Sequence, residues 1–459
     1  MNTTTSSILN FAAILTSSSG GTCFDDATCP ILYKCVEGLC KHKEIFPLEP
    51  RECFGSILMT LLVGVANAGG MGGSFIAAPI LMIIFNYSPA HAIRLVYCVV
   101  FGGSLGNFAI NFLAKRQSSL KPLIDYDVSL IALPMLLCGT SVGVLMNSVT
   151  PPFVVIFGLV AVMGKSVKKL WIKTIKQYRE ENKPKERTIE VSTEFEIELK
   201  EVGDNKARNE DYQAYFMVVH NPRAYHIFQE DRLQIPWRKF KEFFILLTAI
   251  LGLFLLRGTS SFGSILGIGY CSTGYWACYI FTLLICFIFE RRARKSLLEA
   301  ADLRNNVPLT SASDFTITPA SAVDLRNVSL IGGVLAGFLG IGGGTIMNPK
   351  MLDMGLSCES AAATSGFFVI FTGFLSMFQT LIYGGLSFTE IVFFCPLAFI
   401  GSMAVTVIVR KLVKKYQRPS FIMVCVLMSV LIGVLAIPCF SVYRAIENPA
   451  MMTEVQGLC

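Results

Sequence analysis

Charge is what this chain has least of. Only 15% of its 459 residues are Asp, Glu, Lys or Arg, against about 25% in soluble domains. Apolar residues reach 53% and the mean hydropathy is +0.58. A soluble core could not hide that much hydrocarbon, which excludes a cytosolic enzyme, a nucleic-acid-binding protein and a disordered scaffold. Other patterns are missing as well. No Gly-Lys-Ser or Gly-Lys-Thr follows the glycine clusters at 69–73 and 340–344, and their flanks are apolar spans, which excludes a phosphate-gripping nucleotide loop there. No Ser–His–Asp arrangement is evident. The four histidines, His42, His91, His220 and His226, fall in loops or at a span edge. Catalysis is therefore not expected, and nothing calls for a cofactor or a metal.

Cysteine is abundant but unevenly placed. Of fifteen, Cys23, Cys29, Cys35 and Cys40 lie in one short N-terminal stretch, while most others lie in apolar runs, where a thiol behaves as a small hydrophobe. Four cysteines in eighteen residues, beside Pro30 and Gly38, predict two disulfides among themselves in a loop facing an oxidising compartment. The competing reading is a zinc site with His42. The stretch lacks the C-x-x-C pair that such a site usually has. The apolar run Ile8 to Leu15 is too short to span a bilayer and resembles the core of a weak signal peptide, though no basic residue precedes it.

A membrane helix needs about 20 mostly apolar residues. Suitable runs occur at 92–113, 128–148, 152–169, 265–289, 360–382, 389–410 and 420–441, with a shorter one at 243–257. Two more stretches, 55–86 and 328–356, are apolar but interrupted by glycines. The segments 114–127, 165–241, 290–327 and 410–418 carry 3, 17, 6 and 5 Lys or Arg, whereas 149–151 and 383–388 carry none. Positive charge concentrates in cytoplasmic loops, and the net charge of +7 has the same origin. Placing these basic segments in the cytoplasm puts both termini outside, although Lys34, Lys41, Lys43 and Arg51 then also lie outside. Within the longest loop, Ile189 to Val202 alternates apolar and acidic residues, a pattern for a short strand.

The interrupted stretches match each other. Gly70-Met-Gly-Gly-Ser-Phe-Ile-Ala-Ala-Pro79 aligns without gaps on Gly340-Ile-Gly-Gly-Gly-Thr-Ile-Met-Asn-Pro349. Beyond them Phe101, Gly103, Leu105 and Phe108 stand opposite Phe371, Gly373, Leu375 and Phe378 at the same spacing. By the charge assignment the first broken element starts and ends outside, and the second starts and ends inside. The expected fold is an all-α polytopic membrane protein of two inverted repeats, each with a glycine-broken helix. Its parts are an outer Cys-rich segment (1–53), a first repeat (54–169), a cytoplasmic loop (170–241), a two-span insert (242–289), a second loop (290–327), a second repeat (328–441) and an outer tail (442–459). Inverted repeats with discontinuous helices are the architecture of secondary transporters, whose substrate sits where the breaks meet.

The candidate substrate site is accordingly Gly70, Gly72, Gly73 and Ser74 with Gly340, Gly342, Gly343, Gly344 and Thr345. Asn107, Thr364, Ser365 and Gln379 join it as polar residues in nearby spans. Glycine permits a break and a close approach, and a restarting half-helix offers free N–H groups and a positive dipole end, both suited to an anion. The alternative is that such glycines only pack helices closely. Arg94 and Lys350 are cations close to the breaks and candidates to attract an anion, or else to snorkel to the interface.

Taken together, these residues resemble the sulfite exporter TauE/SafE family, particularly its eukaryotic, plant-type branch. The match is carried by Leu339-Gly-Ile-Gly-Gly-Gly-Thr-Ile-Met-Asn-Pro349, Ala361-Ala-Ala-Thr-Ser365, Gly70 to Leu81, Pro122-Leu-Ile-Asp-Tyr-Asp127 and Tyr270-Cys-Ser-Thr-Gly-Tyr-Trp276. It covers roughly residues 54–440. Ser74 departs from a glycine common in the family, and Arg94 stands where a small hydroxyl residue is expected. The resemblance implies a multi-span permease in the plasma membrane or an endomembrane, moving sulfite, an organosulfonate or a similar small oxyanion outward. The alternative function is a membrane receptor or adaptor that uses the Cys-rich segment and the long cytoplasmic loop. Deleting 180–235 separates the two, since an exporter keeps transport and an adaptor loses its partner.

Overall fold

The computed structural model describes residues 32–36, 39–87, 89–116, 121–182, 233–258, 263–305, 317–339, 342–382, 386–416 and 420–447, with the single positions 230 and 418. The expected strand at 189–202 lies outside them. A two-stranded antiparallel ribbon, β1 (Tyr33–Val36) and β2 (Leu39–His42), comes first. Five helices follow: α1 (Pro50–Ala68), α2 (Ser74–Ile83), α3 (Pro89–Asn111), α4 (Tyr126–Val149) and α5 (Pro152–Glu181). Two more, α6 (Trp237–Arg257) and α7 (Thr273–Asn305), form the insert. The series then recurs as α8 (Pro319–Leu339), α9 (Gly344–Asp353), α10 (Cys358–Ile382), α11 (Phe388–Tyr416) and α12 (Ser420–Glu447).

Local chemistry explains the boundaries. Pro50 opens α1, where its missing N–H costs nothing, and the Glu49–Glu52 capping box closes the first turn. The chain then stops short at Gly69, and α2 restarts from Gly73, whose φ of 74° lies in the left-handed region. Pro79 in α2 and Pro349 in α9 sit at the sixth position of their ten-residue helices. Two helices outrun the apolar windows read from sequence. The run at 152–169 continues to Glu181, and the run at 265–289 starts only at Thr273 and continues to Asn305. Hydropathy marks where a helix is in lipid, not where its hydrogen bonds end.

Six helices among the described residues are long and apolar enough to cross a membrane: α3, α4, α7, α8, α10 and α11. Their surfaces agree with that environment. On α7, Ile280, Phe281, Leu284, Phe287 and Ile288 are all exposed, forming an apolar stripe at helical spacing that suits a lipid environment. The helices pack in exchanged pairs. The fourth helix of each series lies on the first helix of the other (α4 on α8, α11 on α1), the third helices α3 and α10 pack together, and so do the fifth, α5 and α12. The insert leans on α4, where Phe240 and Phe243 pack against Phe367 of α10. Both broken stretches consequently lie inside, bracketed by α3 and α10.

Candidate functional site

The two interruptions meet. Ser365, on α10, donates its hydroxyl toward the carbonyl oxygens of both Gly70 (2.6 Å) and Gly344 (3.0 Å). Asn348, on α9, donates to the Gly69 carbonyl at 2.7 Å. One serine and one asparagine thus satisfy carbonyls that the end of α1 leaves without helical partners. Approach is close enough to demand glycine. A methyl group on Gly344 would lie 2.5 Å from the Gly70 oxygen, and one on Gly70 would lie 2.1 Å from the Ala362 oxygen. Gly72, Gly342 and Gly344 all abut Val369 of α10.

The two breaks are not conformational copies. Gly70, Gly72 and Gly73 have φ between 74° and 82°, whereas Gly343 is right-handed helical at −56°. The first break therefore needs glycine for its dihedrals and the second needs it for space. Gly340 lies outside the described residues.

At the restarts, polar groups are left over. Ser74 is the first residue of α2 and Thr345 the second of α9, and both are buried with hydroxyls that have no hydrogen-bond partner. The Asn107 amide, on α3, shares this state: its oxygen receives hydrogen bonds from Asn111 (2.8 Å) and Thr406 (3.3 Å), while its buried nitrogen has no acceptor. That nitrogen lies against Gly366, 2.7 Å from where a methyl would stand. Burying an unpaired polar group costs about 1–3 kcal/mol. Two of the three stand at the starts of the half-helices, whose ends are positive.

Other candidates fall elsewhere. Thr364 accepts a hydrogen bond from the Asp125 N–H at 2.9 Å, so it fastens the segment before α4. Gln379 is buried on α10, but fourteen residues beyond Ser365, about 21 Å along the helix. Lys350 is ion-paired with Asp324 of α8. Arg94 is half-buried near the start of α3. Other cations were missed by the sequence reading. A cavity of about 500 Å³ is lined by Lys115, Arg410, Lys414 and Glu359 together with Ala68, Ala362 and Thr406. Ala362 is the residue whose carbonyl abuts Gly70. The signal was only that Lys115 and the 410–418 run each follow a span, which marks them as cytoplasmic but not as neighbours.

At the opposite end of α3 the His91 ring meets Glu390 of α11 at 2.6 Å, and Tyr87 stacks on both His91 and His42. The ribbon docks here, with Tyr33 donating to the Asn86 carbonyl and the His42 ring nitrogens lying 2.9 Å from the Phe85 and Lys43 oxygens. Those contacts occupy the nitrogens a zinc ion would need. Lys43 pairs with Glu52 (2.8 Å) and Glu49 (3.2 Å). Burial works against its charge, but the two carboxylates outweigh it and hold the ammonium above the ordinary lysine value. Cys35 is disulfide-bonded and its backbone faces Cys40 across the ribbon, while Cys23, Cys29 and the side chain of Cys40 lie outside the described residues. Cys271, in the insert, is also disulfide-bonded, a role the sequence reading did not give it.

Comparison with known proteins agrees with this architecture. The sequence model of the sulfite exporter TauE/SafE family matches residues 223–432. Sulfite exporter TauE/SafE family protein 2 of Arabidopsis thaliana is 27% identical over 388 residues, covering 80% of this chain and 78% of the relative. Family protein 1 of the same plant is 26% identical over 380 residues, covering 81% and 79%. No solved structure matches. With its broken helices and six membrane-length spans among the described residues, the chain is similar to the sulfite exporter TauE/SafE family and is an integral, multi-pass membrane protein.

Proposed function

We propose that the protein exports a small oxyanion, sulfite or an organosulfonate, by alternating access around the junction of the two breaks. The observation that carries this reading is the pair of half-helix starts with buried, unpaired hydroxyls at Ser74 and Thr345. An anion there would accept from those hydroxyls and from the Asn107 amide while lying at two positive helix ends. Ser365 ties the two breaks together, which supports a site shared by both ends.

The cavity lined by Lys115, Arg410 and Lys414 also borders Ala362, whose carbonyl abuts Gly70 of the first break, and its cations draw anions in. At the other end of α3, His91 and Glu390 join the two series. Exchanged packing of α1 with α11 and of α8 with α4 supports inverted repeats that rock against each other. A potential negative inside favours export by about 2.3 kcal/mol per charge per 100 mV.

Purified protein reconstituted into sulfite-loaded vesicles tests the proposal. Efflux should exceed that of empty vesicles and should rise with an inside-negative potential. Efflux equal to the empty control would sink the transport reading.

A further inference from the structure

We propose that Arg257, Tyr275 and Tyr279 form a second oxyanion-binding site at the end of the two-helix insert, apart from the junction of the breaks. Arg257 is the last residue of α6, and its guanidinium carbon lies 4.8 Å from the ring centre of Phe254, 4.6 Å from that of Tyr275 and 5.4 Å from that of Tyr279. It is only 7% exposed, and its Nε has no hydrogen-bond partner. Among the described residues no carboxylate pairs with it. The Tyr279 hydroxyl, in the same box, is likewise buried and without a partner.

An unpaired cation inside a membrane protein is costly and marks function by default. Structural explanations fall short. Arginine at a helix C-terminus often caps the last carbonyls, but here the Phe254 carbonyl is taken by the Gly258 N–H. Three rings offer their π faces to the charge, yet they supply no acceptor in the plane of the guanidinium fork. An N–H edge and a phenol O–H, both buried and both able to donate, suit an anion with at least two oxygens. Arginine's planar fork suits phosphate, sulfate or sulfonate geometry in particular. Such an oxyanion could be the phosphodiester of a lipid headgroup or a free ion from solution. The motif Tyr270 to Trp276, which the junction leaves without a role, supplies Tyr275 to this box and Trp276 beside it.

Trp276 provides the readout, since its ring centre is 5.6 Å from that of Tyr275 and 6.0 Å from that of Tyr279. The chain has three tryptophans, so Trp171→Phe with Trp237→Phe leaves Trp276 as the sole emitter. This full-length protein in detergent is titrated with sodium sulfate and, separately, with dioctanoyl phosphatidylglycerol. A saturable change in emission is expected with at least one. Saturation by sulfate identifies a free ion, and saturation by the lipid alone identifies a headgroup; either supports the site. Arg257→Gln should weaken the apparent affinity by about tenfold or more, and Tyr279→Phe, which keeps the ring, should weaken it measurably. No saturable response to either probe overturns the proposal, as does unchanged affinity in Arg257→Gln. If Arg257→Gln does not fold, unchanged affinity in Tyr279→Phe overturns it instead. Thr345→Val, directed at the break junction, should leave the Trp276 response intact, so the two anion sites fail or stand separately.

Discussion

At the scale of single residues, the buried hydroxyls make the sharpest test. Thr345→Val removes one donor and keeps the shape. Because that hydroxyl has no partner in the protein, its loss should raise thermal stability slightly, by the equivalent of about 1 kcal/mol. Efflux per molecule should nevertheless fall about ten- to a hundredfold, the value of one hydrogen bond to a charged group. A purely structural threonine predicts unchanged efflux. Ser365→Ala acts in the reverse sense, since it strips the hydroxyl from two buried carbonyls. It should cost about 1–3 kcal/mol of stability as well as transport, read as a lower melting temperature of the purified protein. Sequence exposed Ser74, Thr345 and Ser365 because each adjoins a repeated motif. It could not grade them, nor separate Ser365 from Thr364, since which hydroxyl faces the breaks depends on the rotation of α10.

At the scale of helices, glycine turns out to serve two purposes, and they separate by place. Gly139 and Gly143 of α4 press on Leu330, Val334 and Phe338 of α8, while Gly333 and Gly337 of α8 press back on Leu136 and Thr140. A methyl on Gly139 would stand 2.3 Å from the Leu330 oxygen. Each pair is a small-xxx-small motif, the close-packing device of membrane helices. Gly102 and Gly106 of α3 do the same against Cys395 and Phe399 of α11. The four-residue spacing was there to be read, but it was masked by the longer repeat. Gly139→Leu should therefore cost about 3 kcal/mol or more and lower the amount of folded protein at the membrane. Efflux per surviving molecule should stay near normal. Gly344→Leu meets the Gly70 oxygen and Ser365 nearly as closely, so it should also lower the amount of folded protein, but efflux per surviving molecule should fall to background as well. Surface amount and efflux measured on the same cells distinguish them.

At the scale of the whole molecule, orientation can be tested without knowing the substrate. In the proposed topology a cysteine placed by Asn205→Cys is shielded from impermeant maleimide on intact cells and labelled after permeabilisation. Labelling from outside would overturn both the orientation and the inversion of the repeats. The N-terminal ribbon lies at the opposite face in this scheme, against Asn86, Phe85 and Tyr87. Mass spectrometry of alkylated, unreduced protein should find no free thiol at Cys23, Cys29, Cys35 or Cys40, and four alkylated thiols would refute their pairing. Composition by itself determined that this chain lives in lipid, because 53% apolar residues admit no other solvent. Two matching glycine clusters determined that it carries paired breaks, because in hydrocarbon a non-helical backbone survives only where protein or a water-filled cavity surrounds it. Only the tertiary structure decided what the breaks face. It joined Ser365 to both Gly70 and Gly344, brought Arg410 and Lys115 over one cavity, and left Arg257 among three rings. Those are contacts between helices far apart in sequence, and their partners are set by helix rotation and packing, for which hydropathy carries no signal.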